Sequence, residues 1–233
     1  MMFETSVKSI IPCTNDVTSF RFRRPEELSY KAGQYMLVTI RSGEKELTHP
    51  FSFSSSPTEK DSIEFTKKYT ASEYSTILKI LKPGNTVKIN APYGKFTFEG
   101  EYPRIALLTG GIGITPFRSI CRYCTDKQLP SSIILLYGCR TPRDIAFRDE
   151  FEKMQKQNRN LRVVFTVNEV TYGWKGLVGN ITADMVLQEI PDFKERMFYA
   201  CGPPGMVQAM INIVKELDLP QTQLKLESFA GYS

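Results

Sequence analysis

The feature that most constrains the fold of this chain is a glycine-rich turn, LLTGGIGITP, at residues 107–116. An apolar strand is predicted to end at Thr109, and the glycines after it permit positive φ angles and close approach of a bulky anion to the backbone. Thr115 suits a helix N-cap and Pro116 the first helical position, so a helix is predicted to begin there with its free N–H groups facing the turn. Such a unit binds pyrophosphate in open parallel sheets; the alternative is a tight turn without a ligand. The glycines are Gly110, Gly111 and Gly113.

Apolar strands alternate with helices after Pro103. This alternation predicts a parallel sheet with helices on both faces. A second loop, YACGPPGM at residues 199–206, also follows a buried strand and opens a helix. Cys201 stands at that strand end, where a side chain can reach a cleft, although it could also be just a small buried residue. The predicted strands are RIALLT, SIILLYG, LRVVFTVN, MFYACG and LKLESF, and the predicted helices lie at about 115–126, 145–156 and 206–217.

The first hundred residues have a different pattern, with short strands separated by glycine and proline. Closely spaced strands of this kind predict an antiparallel β-barrel. The sequence therefore predicts a two-domain protein, with an N-terminal antiparallel β-barrel domain over residues 1–101 and a C-terminal α/β parallel-sheet nucleotide-binding domain over residues 102–233. The candidate strands are 3–9, 17–23, 34–40, 49–54, 63–68 and 86–90, and a helix is predicted at roughly 72–82.

The formal net charge is +5, and the basic residues are dispersed among acidic ones. Dispersed charge is typical of a solvated surface, which can attract phosphate-bearing cofactors or an acidic protein partner. No basic run is interleaved with aromatic residues, so nucleic-acid binding is not expected. No apolar run is long enough to span a bilayer, and the N-terminal sequence MMFETSVKSI has no secretory-signal pattern. We expect a cytoplasmic protein without a membrane segment.

The five cysteines are odd in number and irregularly spaced, which argues against a disulfide framework. Their spacing does not match a plant-type iron–sulfur cluster. Cys121 and Cys124 form the pattern CRYC within a predicted helix, without a second pair or a nearby histidine. We expect them to pack on a helix face, and no metal site is predicted.

The only histidine lies in HPFSFSSSP, residues 49–57, among four serines and two phenylalanines. A Ser–His nucleophile pair is one interpretation of this stretch. The other is a site for a ligand with phosphates and a flat ring. No Gly-x-Ser-x-Gly nucleophile elbow is present, which disfavours the first interpretation.

Six segments in order resemble the ferredoxin–NADP reductase superfamily: HPFSFSSSP, PGNTVKINAPYGKF, LLTGGIGITP, LLYGCRTPRD, YACGPPGM and LESF. The resemblance covers nearly the whole chain. It implies a flavin-binding barrel followed by a nicotinamide-dinucleotide domain, with FAD as the cofactor and NAD(P)H as the substrate. It further implies that the protein is an oxidoreductase that moves hydride from NAD(P)H to flavin.

By the same resemblance, His49-Pro50-Phe51-Ser52 stands where the family has Arg-x-Tyr-Ser. Phe51 would lie flat against the flavin ring, and Ser52 would hydrogen-bond near flavin N5. Other flavin contacts implied by the resemblance are Phe65, Thr66, Lys67, Tyr74, Ser75 and Thr76.

The resemblance assigns the residues from Gly110 to Pro116, including Gly111, Gly113 and Thr115, to the dinucleotide pyrophosphate. It places the loop after β-strand MFYACG beside the nicotinamide and the C-terminal aromatic residue over the flavin. That aromatic is Phe229, or Tyr232 if the correspondence shifts by three residues. The nicotinamide loop residues are Cys201, Gly202, Pro203 and Met206.

His49 in place of arginine weakens the expected hold on the flavin phosphates, because histidine has an ordinary pKa of about 6.5 and is mostly neutral at pH 7. Lys67 and Lys68 could supply the charge instead, and FMN in place of FAD stays open. In the dinucleotide half, Arg140 and Arg143 could grip a 2′-phosphate, which favours NADPH. Asp144 would oppose one of them, so a salt-bridged turn and NADH stay open.

The implied catalytic residues are Ser52, Cys201 and Glu227, which are expected to converge near flavin N5. Cys201 would position the nicotinamide and Glu227 would relay protons or fix the nicotinamide. Electrons would then pass to a separate acceptor: ferredoxin, flavodoxin, rubredoxin, an oxygenase or free flavin. The alternative is a non-catalytic flavin-containing electron-transfer subunit of a larger complex.

Overall fold

A computed structural model of the protein describes residues 1–229; Tyr232 lies outside the described residues. The N-terminal lobe comprises six antiparallel strands in the order β4-β3-β6-β1-β2-β5 and one helix. The strands are β1 (Met2–Pro12), β2 (Val17–Arg23), β3 (Tyr35–Ser42), β4 (Lys45–Ser52), β5 (Ser62–Lys68) and β6 (Thr86–Tyr93), and the helix is α1 (Glu73–Ile80).

The N-terminal sheet is rolled until its two edge strands approach one another. The Phe51 ring on β4 stacks on the Phe65 ring on β5, with centroids 4.3 Å apart. Just beyond β4, the Ser54 N–H donates to the Glu64 carbonyl on β5 at 2.8 Å. The antiparallel barrel predicted from the sequence is confirmed as a half-barrel around an apolar core. Strand β4 begins at Lys45, earlier than predicted, because it forms a hairpin with β3.

The C-terminal lobe has six parallel strands in the order β10-β9-β8-β7-β11-β12. Side chains that alternate along each strand pack on the two faces: Leu107 faces the helices α2 and α3, and Leu108 faces α4 and α5. The predicted α/β sheet with helices on both faces is confirmed. Its elements are β7 (Arg104–Gly110), α2 (Ile114–Asp126), β8 (Ser132–Cys139), α3 (Arg148–Gln157), β9 (Leu161–Val167), β10 (Leu177–Val178), α4 (Ala183–Glu189), β11 (Met197–Gly202), α5 (Pro204–Glu216) and β12 (Leu224–Ser228).

Two details of this lobe differ from the prediction. Helix α2 begins at Ile114 with Gly113 as its N-cap, because a 3-10 turn runs directly into it. The prediction of Thr115 as N-cap was therefore wrong, and its hydroxyl instead donates to the Ile112 carbonyl at 3.3 Å. The short elements β10 and α4 were not predicted, since two and seven residues are too few to show a period.

The two lobes share one apolar cluster. Phe96 lies between Phe117 on α2 and Tyr199 on β11, with ring centroids 5.8 and 5.3 Å away. The Tyr199 hydroxyl donates to the Thr97 carbonyl at 3.0 Å. These contacts pack the segment after β6 against α2 and β11. Within residues 1–229, no helix has the length and apolar character needed to cross a membrane.

Candidate active site

Two cavities meet at the glycine turn between the lobes, and Ile112 lines both. The first cavity, of about 440 Å³, lies between the half-barrel, the start of α1 and the end of β12. The second cavity, of about 560 Å³, lies at the carboxyl ends of β7, β8 and β9. Open parallel sheets bind their ligands at this edge.

The first cavity brings together many of the residues that the resemblance assigned to flavin. Those in its lining are His49, Pro50, Phe51, Ser52, Thr66, Lys67, Glu227 and Phe229. Thr115, which the resemblance assigned to the dinucleotide pyrophosphate, lines this first cavity and not the second. Sequence reasoning did not single out Tyr35, Thr70, Ser72, Ile112 or Ser228, which also line it. Ser72 could have been found as the first residue of the predicted helix, because serine is a strong N-cap former. It caps α1 and accepts from the Ser75 N–H at 3.2 Å.

Four predicted flavin contacts have side chains outside this lining. Phe65 lies in the barrel core and stacks on Phe20 with centroids 5.1 Å apart. Tyr74 is buried and donates to the Val38 carbonyl at 3.0 Å. Ser75 is buried, whereas Thr76 is exposed.

The charge in the first cavity comes from Lys67 and not from its neighbour. Burial lowers the pKa of Lys67 to about 8, so the ammonium is charged below that pH. Lys68 points the other way, lines the second cavity and pairs with Asp16 at 3.4 Å. Burial, together with the charge of Lys67, lowers the pKa of His49, which leaves its imidazole neutral at pH 7. That ring packs against Tyr74 with centroids 4.5 Å apart.

Ser52, Cys201 and Glu227 converge at one end of the first cavity. The parallel register of β11 and β12 places Cys201 directly beside Glu227. The Ser52 hydroxyl donates to Glu227 Oε2 at 3.4 Å, and the Cys201 Sγ lies 4.0 Å from the same oxygen. The three side chains form a hydrogen-bonded group across the lobe boundary.

The electrostatics of this group follow from burial. Burial raises the pKa of Glu227 to about 7, and the hydrogen bond from Ser52 offsets part of that rise. Burial and the nearby Glu227 charge raise the pKa of the Cys201 thiol, which therefore stays protonated. A protonated thiol is a poor nucleophile, so the geometry suits a packing role for Cys201 and a proton-holding role for Glu227.

The chain continues from Glu227 along the rim of the first cavity. The Phe229 N–H donates to the Gly202 carbonyl at 2.9 Å, and Phe229 contributes to the cavity lining. This bond ties the end of β12 to the loop after β11. The C-terminal aromatic predicted to cover the flavin thus stands at the first cavity.

The glycine turn forms the floor of the second cavity. Gly110 and Gly111 line it, and Gly111 has a φ of +52° with nothing within 4 Å of the position a Cβ would take. Gly113 serves packing instead, since a Cβ there would lie 2.3 Å from the Cys201 carbonyl oxygen. Pro116 is buried in α2, outside both linings. The open backbone of Gly111 is a place that an anion can approach closely.

The loop after β11 contributes one side chain to the second cavity. Met206, in the first turn of α5, lines it. Gly202 and Pro203 are outside its lining, although the loop borders the cavity through Met206.

The loop after β8 adopts the salt-bridged arrangement that the sequence left open. Arg140 lines the second cavity and pairs with Asp144 at 3.5 Å, while 72 % of its side chain stays exposed. Asp144 also accepts from the backbone N–H and hydroxyl of Thr141, at 3.0 and 2.9 Å. Arg143 is exposed and lies outside the lining. Lining residues without a prior sequence signal include Asp16, Asn168 and Asn180.

Cys121 and Cys124 are buried in the core under α2, as expected for helix-face packing. Over residues 1–229 no cluster of three or more histidine, cysteine or acidic side chains is close enough to hold a metal ion.

The two cavities fit the groups that the resemblance implies. The first combines aromatic rings, hydroxyls and one buried ammonium, which suits a flat ring carrying phosphate. The second combines a glycine cradle with polar side chains at a sheet edge, which suits a dinucleotide.

Comparison with known families agrees with this division. Residues 4–98 match the oxidoreductase FAD-binding domain family, and residues 107–211 match the oxidoreductase NAD-binding domain family.

Curated relatives are reductases. The chain is 27 % identical over 238 residues to the reductase component of propane 2-monooxygenase from Mycolicibacterium smegmatis, covering 97 % of this chain and 67 % of that protein. It is 25 % identical over 221 residues to NADH-cytochrome b5 reductase 2 of Mycosarcoma maydis, covering 89 % of this chain and 63 % of that protein. The chain thus spans about two thirds of the length of these relatives.

Solved structures share the whole fold. The cytochrome b5 reductase domain of Ulva prolifera nitrate reductase superposes with a TM-score of 0.86 at 24 % identity, covering 97 % of each chain. A ferredoxin NADP+ reductase from Neisseria gonorrhoeae superposes with a TM-score of 0.85 at 19 % identity, covering 97 % of this chain and 98 % of that one. The two domain matches together cover most of the chain, which therefore consists of an oxidoreductase FAD-binding domain followed by an oxidoreductase NAD-binding domain, in the fold of the ferredoxin NADP+ reductase structure.

Proposed function

We propose that this protein is an NAD(P)H-dependent flavoprotein reductase that passes electrons from its FAD to a separate redox protein. The observation that carries the proposal is the meeting of the first and second cavities at Ile112, beside the Ser52–Cys201–Glu227 group. A flavin in the first cavity and a dinucleotide in the second would bring their reactive ends together at this junction. The division between the two functional units falls at residues 101 and 102, between β6 and β7.

Bound FAD would accept hydride from the nicotinamide and release the electrons onward, which is chemistry that the cofactor supplies. The chain supplies position and charge. Phe51 offers a flat apolar surface, and Lys67 with the start of α1 offers positive potential for phosphate. Ser52 donates to Glu227, which holds a proton below about pH 7. Cys201, protonated and buried, packs where the nicotinamide would enter.

The dinucleotide would bind with its pyrophosphate on Gly110 and Gly111. Arg140 is the candidate contact for a 2′-phosphate, which supports NADPH, but a 2′-phosphate would have to compete with Asp144 for it. The acceptor is proposed to be a protein such as ferredoxin, flavodoxin or an oxygenase. This class is supported by relatives named as the reductase component of propane 2-monooxygenase and as NADH-cytochrome b5 reductase.

The test is the absorption spectrum of the purified protein, identification of the flavin released on denaturation, and anaerobic titration with NADH and NADPH in parallel. We expect bound FAD that either dinucleotide bleaches without any partner present. A colourless protein that takes up neither FAD nor FMN would contradict the flavin site. A bound flavin that neither dinucleotide reduces would leave the non-catalytic electron-transfer subunit as the remaining function.

A further inference from the structure

Arg118 is a buried guanidinium that the proposed mechanism does not use. It lies on α2, one helical turn after the glycine turn, and only 2 % of its side chain is exposed. A charged group so deeply buried is costly unless it is fully paired. The partners of Arg118 therefore indicate what its position achieves.

The contacts of Arg118 are divided between the two lobes. In the N-terminal lobe, its Nη1 donates to the Ser54 carbonyl at 2.5 Å and lies 3.4 Å from Glu59 Oε2. In the C-terminal lobe, its Nε and Nη2 lie 3.0 and 2.8 Å from Glu150 Oε2. The guanidinium also sits over the Phe147 ring, 5.0 Å from its centroid. One side chain thus bridges the lobes with a fork of directional bonds.

The N-terminal end of this bridge is itself fixed by a buried carboxylate. Glu64 is 2 % exposed and accepts from the Ser54 hydroxyl at 2.9 Å and from Arg21 Nε at 2.6 Å. Arg118 Nη1 lies 3.7 Å from the same carboxylate. If the lobes shifted relative to one another, the buried charges of Glu64 and Arg118 would move apart where water cannot replace the lost partner. The network therefore resists such a shift.

The network reaches the wall of the first cavity. The Thr66 hydroxyl, which lines that cavity, donates to the Ser54 hydroxyl at 2.9 Å. Next to Arg118, the Ser119 hydroxyl donates to the Ser55 carbonyl at 2.7 Å. Helix α2, which carries Arg118 and Ser119, begins directly after the glycine turn that lines the second cavity. A continuous path of bonds therefore joins the two cavities behind their junction.

We propose that Arg118, assisted by Ser119, is a positioning residue for hydride transfer. It holds the glycine turn and the wall of the first cavity at a constant separation, so that the two bound rings meet at reacting distance. Hydride transfer needs reacting atoms about 3–3.5 Å apart, and an error of about 1 Å can cost about a hundredfold in rate. This inference rests on the proposed function, because it assigns a geometric requirement to the same pair of sites.

The deciding variant is Arg118→Lys, which keeps the positive charge beside the three carboxylates but loses the planar fork. Ser119→Ala removes only the hydrogen bond from the Ser119 hydroxyl to the Ser55 carbonyl and leaves the ion pairs of Arg118 in place. The matched control is Arg196→Lys. Arg196 is also buried, at 4 % exposed, but it pairs with Asp192 and bonds the Ile105 and Ser132 carbonyls at the amino end of the sheet, within one lobe.

Four quantities are measured for each variant: flavin bound per chain, the dissociation constant of oxidised dinucleotide, the melting temperature, and the limiting rate of flavin reduction at saturating NADH or NADPH. For Arg118→Lys we expect flavin content and dinucleotide affinity close to wild type, with a limiting rate lower by about a hundredfold. Ser119→Ala is expected to slow the same step by a smaller factor. Arg196→Lys is expected to lower the melting temperature without slowing the step.

The inference is overturned if Arg118→Lys and Ser119→Ala both reduce flavin at the wild-type rate. It is also overturned if Arg196→Lys slows reduction as much as Arg118→Lys, or if Arg118→Lys loses flavin outright. Should Arg118→Lys not fold, the limiting rate of Ser119→Ala decides. Failure of the proposed function looks different, since the wild-type flavin itself would then resist both dinucleotides.

Discussion

At the scale of single residues, Glu227 owes its properties to a neighbour far away in sequence. Ser52, which donates to it, is 175 residues distant, and Cys201 reaches it only through the pairing of β11 with β12. Burial among these groups disfavours the ionised carboxylate. As a result, the pKa of Glu227 lies at about 7 and not at its ordinary value of 4.5, so this carboxyl gains or loses its proton near neutral pH.

The raised pKa of Glu227 predicts a pH-dependent effect of Glu227→Gln on stability. The folded protein holds the proton more tightly than the unfolded chain, so the contribution of Glu227 is fully present below about pH 4.5 and is lost as pH rises through about 7. Glutamine cannot ionise and avoids this loss. The melting temperature of Glu227→Gln relative to wild type should therefore be higher at about pH 8 than at about pH 5.

Ser52→Ala supplies the control, because the bond from Ser52 lowers the pKa of Glu227. Its removal should move the midpoint of that stability change to higher pH. An equal difference in melting temperature at both pH values would mean that Glu227 ionises normally.

His49 allows a second prediction at this scale. His49→Arg replaces a neutral imidazole at the first cavity with a permanent charge and a fork of donors. A charged hydrogen bond contributes roughly 1.5–3 kcal/mol, so FAD and FMN should bind about tenfold more tightly or better. Calorimetric titration of the flavin-free protein measures the change. Riboflavin, which has no phosphate, is the matched ligand, and an equal gain for riboflavin would show that His49 does not face the phosphate.

At the scale of elements, the glycine turn serves two separate needs. Gly111 leaves its backbone open to the second cavity at a positive φ. Gly113 lets α2 approach β11 so closely that a Cβ would lie 2.3 Å from the Cys201 carbonyl oxygen and 2.6 Å from Thr109 Oγ1. The same turn therefore determines both the ligand surface and the position of the helix that carries Arg118.

Gly113→Ala should accordingly destabilise the protein by about 1–3 kcal/mol through overpacking. Gly205→Ala is the matched control, because Gly205 lies in the first turn of α5 with nothing within 4 Å of its Cβ position. There, alanine is expected to be neutral or to stabilise by up to about 1 kcal/mol, since glycine is a poor helix former. Urea unfolding of both variants provides the comparison, and equal effects would refute the packing argument.

At the scale of the whole molecule, the arrangement of the lobes explains why residues from both ends of the chain form one site. Phe96 and Phe117 pack between the lobes, and the Arg118 network closes the interface on another side. Strand β12 then places Glu227 at the first cavity of the N-terminal lobe. A shift of one lobe would separate Ser52 from Glu227 before it disturbed either sheet.

Much of this organisation was predictable from the sequence, but not the detailed wall of either cavity. Thr66 and Lys67 were expected at the first cavity and line it, whereas the predicted contact Phe65 points into the barrel core. The sequence motifs predict which segments of the chain lie at the site. Which side of a strand each side chain faces depends on how the strand pairs with its neighbours. Lys68 is a second example, because its side chain lines the second cavity whereas that of Lys67 lines the first.

The sequence by itself determined the local elements: the alternation of strands and helices after Pro103, and the glycine turn before α2. These depend on near neighbours, through periodicity and glycine conformation. The convergence of Ser52, Cys201 and Glu227 was expected from the family resemblance and not from the local sequence pattern. Only the tertiary structure decided that Lys68 reaches the second cavity and that Arg118 joins the lobes. Those contacts depend on strand register and lobe packing, which long-range burial sets and no short segment encodes.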